Sequence, residues 1–214
     1  SIDRNIINQA AFAGQYVADN QLESNASSFH IAEFPMPARD VEAAKKILAD
    51  AGYTSPVPVE ITLPNTLSET RVGQIIQSTA GEAGFQVTVL PLEYATANER
   101  LFSGNFDVAM SSWSGRSDPH LNLNTVIGCT RAAVTDYRGW CSEDAQQLLN
   151  AAVGESDHAK RYELYRQVAK IYLGEEGVIS LYHPSCIYGA GAGLDGVAIY
   201  PDCIFRPAGV KPKA

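Results

Sequence analysis

VPVEITLPNTLSETRVGQIIQSTAGEAGFQVTVLPL, residues 57–92, contains two strand-like runs separated by a helix-like one. In the first run Val57, Val59, Ile61 and Leu63 alternate, which sets four apolar side chains on one face of an extended chain. Ser68 then offers an N-cap for a helix whose apolar stripe is Val72, Ile75, Ile76, Thr79, Ala80 and Ala83, closed by Gly84. Phe85 to Leu92 is the second strand. Downstream the pattern repeats. Thr96 and Glu99 form a Thr-x-x-Glu capping box for a short helix ending near Gly104, and Phe106 to Ser112 reads as a mostly buried third strand. Strands and helices that alternate with short connections predict right-handed crossovers and one parallel sheet. The expected fold class is α/β, a βαβαβ core with a partly parallel sheet covered by helices.

Working outward, Asp40 caps a predicted helix through Val41, Ala44, Ile47, Leu48 and Ala51, with Gly52 at its end. Residues 3–18 carry Ile6, Ile7, Ala10, Ala11, Ala13 and Gly14 at helical spacing, and 21–39 read as loop. On the other side, Ser142 opens a helix with Leu148, Leu149 and Ala152 buried. Ser156-Asp157 caps a longer one through Tyr162, Tyr165, Val168, Ala169 and Tyr172, and both are expected to cover the sheet. Short strands are predicted at 178–182, 186–188 and 197–200, followed by a tail, 206–214, rich in Pro and Lys. The opening residues, Ser1 to Ile7, read as the inside of a helix, so the chain is expected to be a piece of something longer.

Composition narrows the function. A net charge of −8 and a pI near 5.0, with no basic stripe, argue against nucleic acid as a partner. No apolar run is long enough to span a membrane. The four cysteines, Cys129, Cys141, Cys186 and Cys203, include no Cys-x-x-Cys pair, which disfavours a zinc ribbon and permits two disulfides. Cys129 and Cys141 flank a polar segment with Arg131, Thr135, Asp136 and Gly139, which favours a disulfide and an oxidising compartment; Cys186 with Cys203 is the second candidate pair.

Several motifs do not develop into chemistry. Gly191-Ala192-Gly193-Leu194-Asp195-Gly196 matches Gly-x-Gly-x-x-Gly but leads into a predicted strand at Val197, so it reads as a hairpin turn and no dinucleotide cofactor is expected. Ser114, Asp118 and His120 lie in one loop without a Gly-x-Ser-x-Gly elbow, an unpromising arrangement for a nucleophile, base and orienter. The four histidines lack metal-ligand spacing, and the segment 118–124 lacks the glycine of a calcium loop, so no metal is expected. What remains is Trp113-Ser114-Gly115-Arg116-Ser117-Asp118-Pro119, a chemically mixed loop at the carboxyl end of a strand, where α/β folds hold small molecules.

The order of several local sequences resembles one family: Ile2-Asp3-Arg4, Asp40-Val41-Glu42-Ala43-Ala44-Lys45, Leu48-Ala49-Asp50-Ala51-Gly52-Tyr53, Gly84-Phe85-Gln86-Val87, Gly104-Asn105-Phe106-Asp107 and the Trp113 to Pro119 loop. Lys160-Arg161-Tyr162 and Ile179-Ser180-Leu181-Tyr182-His183 continue the likeness. The family is the extracytoplasmic solute-binding proteins of the dipeptide, oligopeptide and nickel type, family 5, which serve ABC importers. The resemblance implies one lobe of a two-lobed periplasmic binding protein (type II) that closes on its ligand like a hinge. Residues 1–183 would be the C-terminal ligand-binding lobe, and 184–214 would hold strands and a tail returning towards a missing N-terminal lobe. The implied partners are a small-molecule or peptide-like solute and the membrane permease subunits, and the implied location is periplasmic. Cys129 and Cys141 also sit where dipeptide-binding members carry a disulfide.

In peptide-binding members the residue after Trp-x-Gly is an aspartate that pairs with the ligand's α-amino group; here it is Arg116, a permanent cation whose planar fork suits carboxylate or phosphate. The expected solute is therefore anionic, polyol-like, or a peptide derivative lacking that amine. Alternatively Arg116 pairs with Asp118 and braces the loop. The remaining candidate wall residues are Trp113, Ser114, Gly115, Asp118, Asn65 and Thr66 after the first strand, and Tyr94 after the second. Two rival readings remain, a hydrolase or transferase using the loop from Trp113 to His120, and a module that binds a protein partner.

Overall fold

The computed structural model describes residues 1–54, 56–129, 140–200 and 202–213. The polar stretch expected between Cys129 and Cys141, with Arg131, Thr135, Asp136 and Gly139, lies outside the described residues. At the centre run β2 (Val57–Pro64), β3 (Phe85–Leu92) and β4 (Val108–Ala109), connected through α3 (Leu67–Gly81) and α4 (Tyr94–Ser103). The three strands form one parallel sheet in the order β3-β2-β4. β2 pairs with β3 from Val57↔Phe85 to Pro64↔Leu92, and with β4 only at Ile61↔Val108 and Thr62↔Ala109. The chain thus leaves β2 in one direction and returns past it to the other side. That reversal opens a crevice at the carboxyl ends of β2 and β4.

The two crossover helices take opposite faces. Ile61 and Leu63 of β2 join Val72, Ile76 and Ala80 of α3, Val87 of β3 and Ile7 in one buried cluster. Glu60, on the other face, receives Arg100 of α4 at 2.8 Å. The alternation read from the sequence is therefore the one that builds this core.

The caps differ from expectation. Asn65 N–H still bonds to Leu92 O at 2.7 Å, so the chain stays extended to Thr66, whose hydroxyl accepts from Glu69 N–H at 3.3 Å. Thr66, not Ser68, is the N-cap of α3. Glu93 caps α4 by accepting from Ala95 N–H at 2.8 Å and Thr96 N–H at 3.4 Å, which starts the helix three residues ahead of the expected Thr96 box. Gly84, at φ +100, makes the expected turn between α3 and β3.

The flanks depart further from the expected pattern. The first helix, α1 (Arg4–Phe12), is capped by Asp3 and stops well short of residue 18, because Ala13 and Gly14 turn left-handed and the Asn8 side chain takes both the N–H and the C=O of Tyr16. The released chain forms β1 (Val17–Ala18), which pairs antiparallel with β5 (Tyr182–His183). Asp40 caps α2 (Val41–Asp50) as expected, but that helix buries no residue completely and Ile47 faces solvent. The helices α6 (Glu143–Gly154) and α7 (His158–Glu175) do not cover the sheet. With α5 (Pro119–Ile127) and Ile31 they form a second core of Leu123, Ile127, Leu149, Tyr165, Val168 and Tyr172.

At the C-terminus the expected strands at 186–188 and 197–200 are absent from the described structure. Instead β6 (Leu194–Asp195) pairs with β7 (Lys211–Pro212) in the tail, and Gly196 turns at φ +76 where a Cβ would meet Gly209 O. Both cysteine pairs are joined, Cys129–Cys141 with Cα atoms 5.2 Å apart and Cys186–Cys203 with Cα atoms 5.4 Å apart.

Candidate functional site

The crevice at the sheet's carboxyl edge is a hollow lined by Pro64, Thr66, Glu69, Tyr94 and Asn98 on one side and by Met110, Ser111, Ser112 and Tyr182 on the other. Each lining residue has a local cause. Pro64 and Thr66 end β2 and begin α3, Tyr94 opens α4 and is 61% exposed, and Ser111-Ser112 leave β4 just after Met110 N–H donates to Thr62 O at 2.8 Å. Burial, with the nearby Glu69 carboxylate and Tyr16, pushes the Tyr182 hydroxyl up to about 12, so it remains a hydrogen-bond donor throughout the neutral range.

The hollow continues in sequence into the Trp113 loop. Trp113 is half-buried, and its Nε1–H donates to Asn122 Oδ1 at 3.1 Å. Arg116 is exposed; its guanidinium folds back over the Trp113 ring at 5.0 Å and donates to the Ser114 and Gly115 carbonyls. Among the described residues no carboxylate pairs with it. The alternative, a brace between Arg116 and Asp118, does not form, because Asp118 is engaged elsewhere. Asp118 is the N-cap of α5, accepting from His120 N–H at 2.8 Å, and its two oxygens lie 2.8 and 2.9 Å from Arg161 Nη2 on α7. Partial burial opposes ionisation of Asp118, but these hydrogen bonds outweigh it and hold the carboxyl below its ordinary range.

Among the eight candidate wall residues, the hollow brings together Thr66 and Tyr94, and the loop brings together Trp113, Ser114, Gly115 and Arg116. Thr66 also serves α3 as its cap. Asn65 is exposed beside the hollow, and Asp118 faces α7. Gly115 has open space where a Cβ would stand. Ser114 Oγ donates to Asp202 O at 3.1 Å, so the disulfide-closed segment 186–203 backs the loop. Asp202 is in turn clamped by Arg206, whose guanidinium lies over Tyr200 at 4.6 Å.

The sequence reading missed Glu69, Asn98, Ser111, Ser112 and Tyr182 in the hollow, and Asn122, Glu23 and Arg161 behind the loop. One signal was available: Asp118-Pro119 is an N-cap followed by proline at N1, which announces a helix and puts Asn122 one turn inside it. The Ser114, Asp118 and His120 side chains do not converge. Ser114 is bonded to Asp202 O, Asp118 to Arg161, and His120 Nδ1 is buried without a hydrogen-bond partner among the described residues. Among the described residues no group of three or more His, Cys, Asp or Glu is arranged to hold a metal ion, and no helix is long and apolar enough to cross a membrane.

Fold and hollow together define an α/β lobe with a polar, aromatic crevice at the switch point of a parallel sheet. The chain belongs to the bacterial extracellular solute-binding proteins, family 5, whose middle-region model matches residues 1–133. It is 27% identical over 184 residues to di/tripeptide-binding protein 4 of Pseudomonas aeruginosa (strain UCBPP-PA14), covering 81% of this chain and 34% of that protein. To the dipeptide-binding protein of Escherichia coli (strain K12) it is 23% identical over 169 residues, covering 76% of this chain and 32% of the relative. A solved structure of the dipeptide binding protein from Pseudoalteromonas sp. SM9913, in complex with Met-Leu, matches with a TM-score of 0.85 at 20% identity, over 99% of this chain and 43% of that one. The chain thus spans about a third of the curated relatives it matches.

Proposed function

We propose that this chain is the C-terminal ligand-binding lobe of an extracytoplasmic receptor for an ABC importer, and not an enzyme. Residues 1–183 form one wall of the ligand cleft. Residues 184–214 return towards a preceding lobe, a reading supported by the exposed apolar side chains of Ile187, Ile199, Ile204 and Phe205 in that segment. The solute is small and polar or peptide-like, handed on to membrane permease subunits, and the two disulfides suit an oxidising, periplasmic setting.

The observation that carries this reading is the Arg116 guanidinium, paired with no carboxylate among the described residues, stacked on Trp113 and joined through Ser112 to the hollow of Thr66, Tyr94, Ser111 and Tyr182. Two N–H donors on a planar cation beside an aromatic face match a carboxylate or phosphate oxygen pair. The hydroxyl and amide groups of the hollow suit the uncharged part of such a solute. The relatives named for di- and tripeptides point to peptide-like ligands. At Arg116 a free α-amino group meets repulsion, so the ligand presents an anion or a neutral polar group there.

Native mass spectrometry of the intact protein as purified tests the proposal. A retained small solute, released on denaturation and carrying an acidic group, is the expected result. An intact protein that neither carries a solute nor is thermally stabilised by any compound in a broad screen of peptides, organic acids and sugars contradicts it.

A further inference from the structure

We infer that Asn122 is the positioning residue of the Trp113 to Arg116 wall, and that the buried carboxylate of Glu23 is the anchor from which it works. Both residues are 8% exposed. Asn122 makes four hydrogen bonds with one amide. Its Oδ1 accepts from Trp113 Nε1–H at 3.1 Å and from Arg116 N–H at 2.7 Å; its Nδ2 donates to Arg116 O at 3.0 Å and to Glu23 Oε1 at 2.7 Å.

The chemistry fixes the orientation of that amide twice over. Indole and backbone N–H groups only donate, so they require the carbonyl oxygen; an ionised carboxylate only accepts, so it requires the NH2 group. Glu23 has no ion pair among the described residues, and a buried carboxylate is costly unless hydrogen-bonded, which makes the Asn122 amide its specific partner. One side chain therefore sets the tilt of the Trp113 ring and holds both backbone polar groups of Arg116. The guanidinium that folds back over the ring at 5.0 Å owes its direction to that clamp. Glu23 comes from the loop 21–34 that packs on the helical core, so the wall is tied to α5 and α7 rather than to the sheet from which it emerges.

The functional meaning of this assignment rests on Trp113 and Arg116 forming the ligand wall, but the position of the loop is readable without ligand. The test follows the Trp113 indole N–H by 1H–15N NMR in the intact protein, the signal being identified by its loss in Trp113→Phe. Trp140, whose indole donates to Glu175 at 2.8 Å, is the internal control. In Asn122→Asp at pH 7.5 two carboxylates face each other and the donor to Arg116 O is gone. The Trp113 indole proton is expected to exchange at least tenfold faster while Trp140 is unchanged. Lowering the pH to about 4.5 lets one proton be shared across that pair, and the ratio of Trp113 to Trp140 exchange, which cancels the base catalysis common to both indoles, returns towards the wild-type ratio.

The titratable or charged groups around the clamp are Arg116, Asp118, His120, Arg161, Tyr165, Tyr172 and His183, the two tyrosines and His183 feeling the Glu23 charge. The reciprocal exchange, Glu23→Gln with Asn122→Asp, retains all of them and restores a donor–acceptor pair. It is expected to return slow Trp113 exchange at pH 7.5 and to leave the Trp113 to Trp140 exchange ratio the same at both pH values. Wild-type exchange in Asn122→Asp at pH 7.5 overturns the assignment. So does loss of both indole signals that the reciprocal exchange leaves unrepaired, which would make Asn122 a general packing residue. A loop released as described, in a variant that still retains the wild type's solute at unchanged affinity, would instead contradict the ligand-wall reading and leave the clamp standing.

Discussion

At the scale of single residues, the loop from Trp113 to Pro119 is held from behind by side chains distant in sequence. Asp118 is the clearest case, since it caps α5 and also pairs with Arg161 on α7, forty-three positions away. Asp118→Ala removes both and is expected to lower stability by about 1–2 kcal/mol from the cap alone, read as a shift in the urea unfolding midpoint. Asp118→Asn keeps an N-cap acceptor and should recover most of that loss, because a partly exposed ion pair adds little. These residues mark how much of the site was legible beforehand. Trp113 and Arg116 stood out because a large aromatic and a fixed cation at a strand end are conspicuous in one dimension. Asn122, Glu23 and Arg161 did not, because an amide or carboxylate announces nothing until its partner is brought to it. The alternative brace between Arg116 and Asp118 does not form for the same reason: the near neighbour is visible in one dimension and the better partner of Asp118, Arg161, is not.

Among the elements, β2, α3 and β3 were the most legible, because their apolar periodicity is carried by residues that do end in the core. Gly73 adds a constraint that periodicity cannot express. It lies in the middle of α3, and a Cβ there would stand 2.5 Å from Leu63 Cδ2 and 3.0 Å from Val89 Cγ1. Leu63 is itself fully buried and has nowhere to move. Gly73→Ala gains about 1 kcal/mol in helix propensity, yet overpacking a core costs about 1–3 kcal/mol. The net effect is expected to be destabilising, measurable as a lower thermal midpoint, and relieved in the double variant with Leu63→Val. Elements lacking a long apolar period are poorly legible in the sequence. α5 follows a loop with only its Asp-Pro start to announce it, α1 stops at Ala13 and Gly14 although the helical spacing continues past them, and the tail strand β7 carries almost no pattern. The segment 186–203 is defined instead by its disulfide. Replacing Cys186 and Cys203 by Ser frees a loop of some seventeen residues, for which loop-closure entropy corresponds to about 3 kcal/mol. Faster proteolysis within 186–203 is expected, with the sheet intact by circular dichroism; an unchanged cleavage rate would show that the Arg206–Asp202 clamp suffices.

For the molecule as a whole, two cores meet around β1, β5 and the loop that follows β1, and there a buried polar cluster joins them. Asp19 lies 3.0 Å from His30 Nε2 and 3.8 Å from His183 Nε2, and His183 also bonds to Gln21 O at 3.1 Å. Burial holds the His183 imidazole below its ordinary value of 6.5, although Asp19 and the Gln21 carbonyl pull the other way. The unfolded chain therefore binds this proton first as pH falls. The stability associated with His183 is complete above about 6.5 and declines as pH drops through the folded value. His183→Gln, which retains a hydrogen-bonding side chain without the titration, is expected to flatten the fall in urea midpoint between pH 7 and pH 5; an equally steep fall would assign the pH dependence elsewhere.

The two cores converge on one surface, where the sheet's crevice runs into a loop that the helical core holds in place, and Arg116 is its cation, paired with no carboxylate among the described residues. The affinity of the intact protein for the solute it retains, measured by calorimetry in the wild type and in Arg116→Ala, tests that picture most directly. A loss of about 2–5 kcal/mol, tens- to thousands-fold in Kd, is the result expected of a desolvated charge contact. The same solute bound with an unaltered Kd would contradict it.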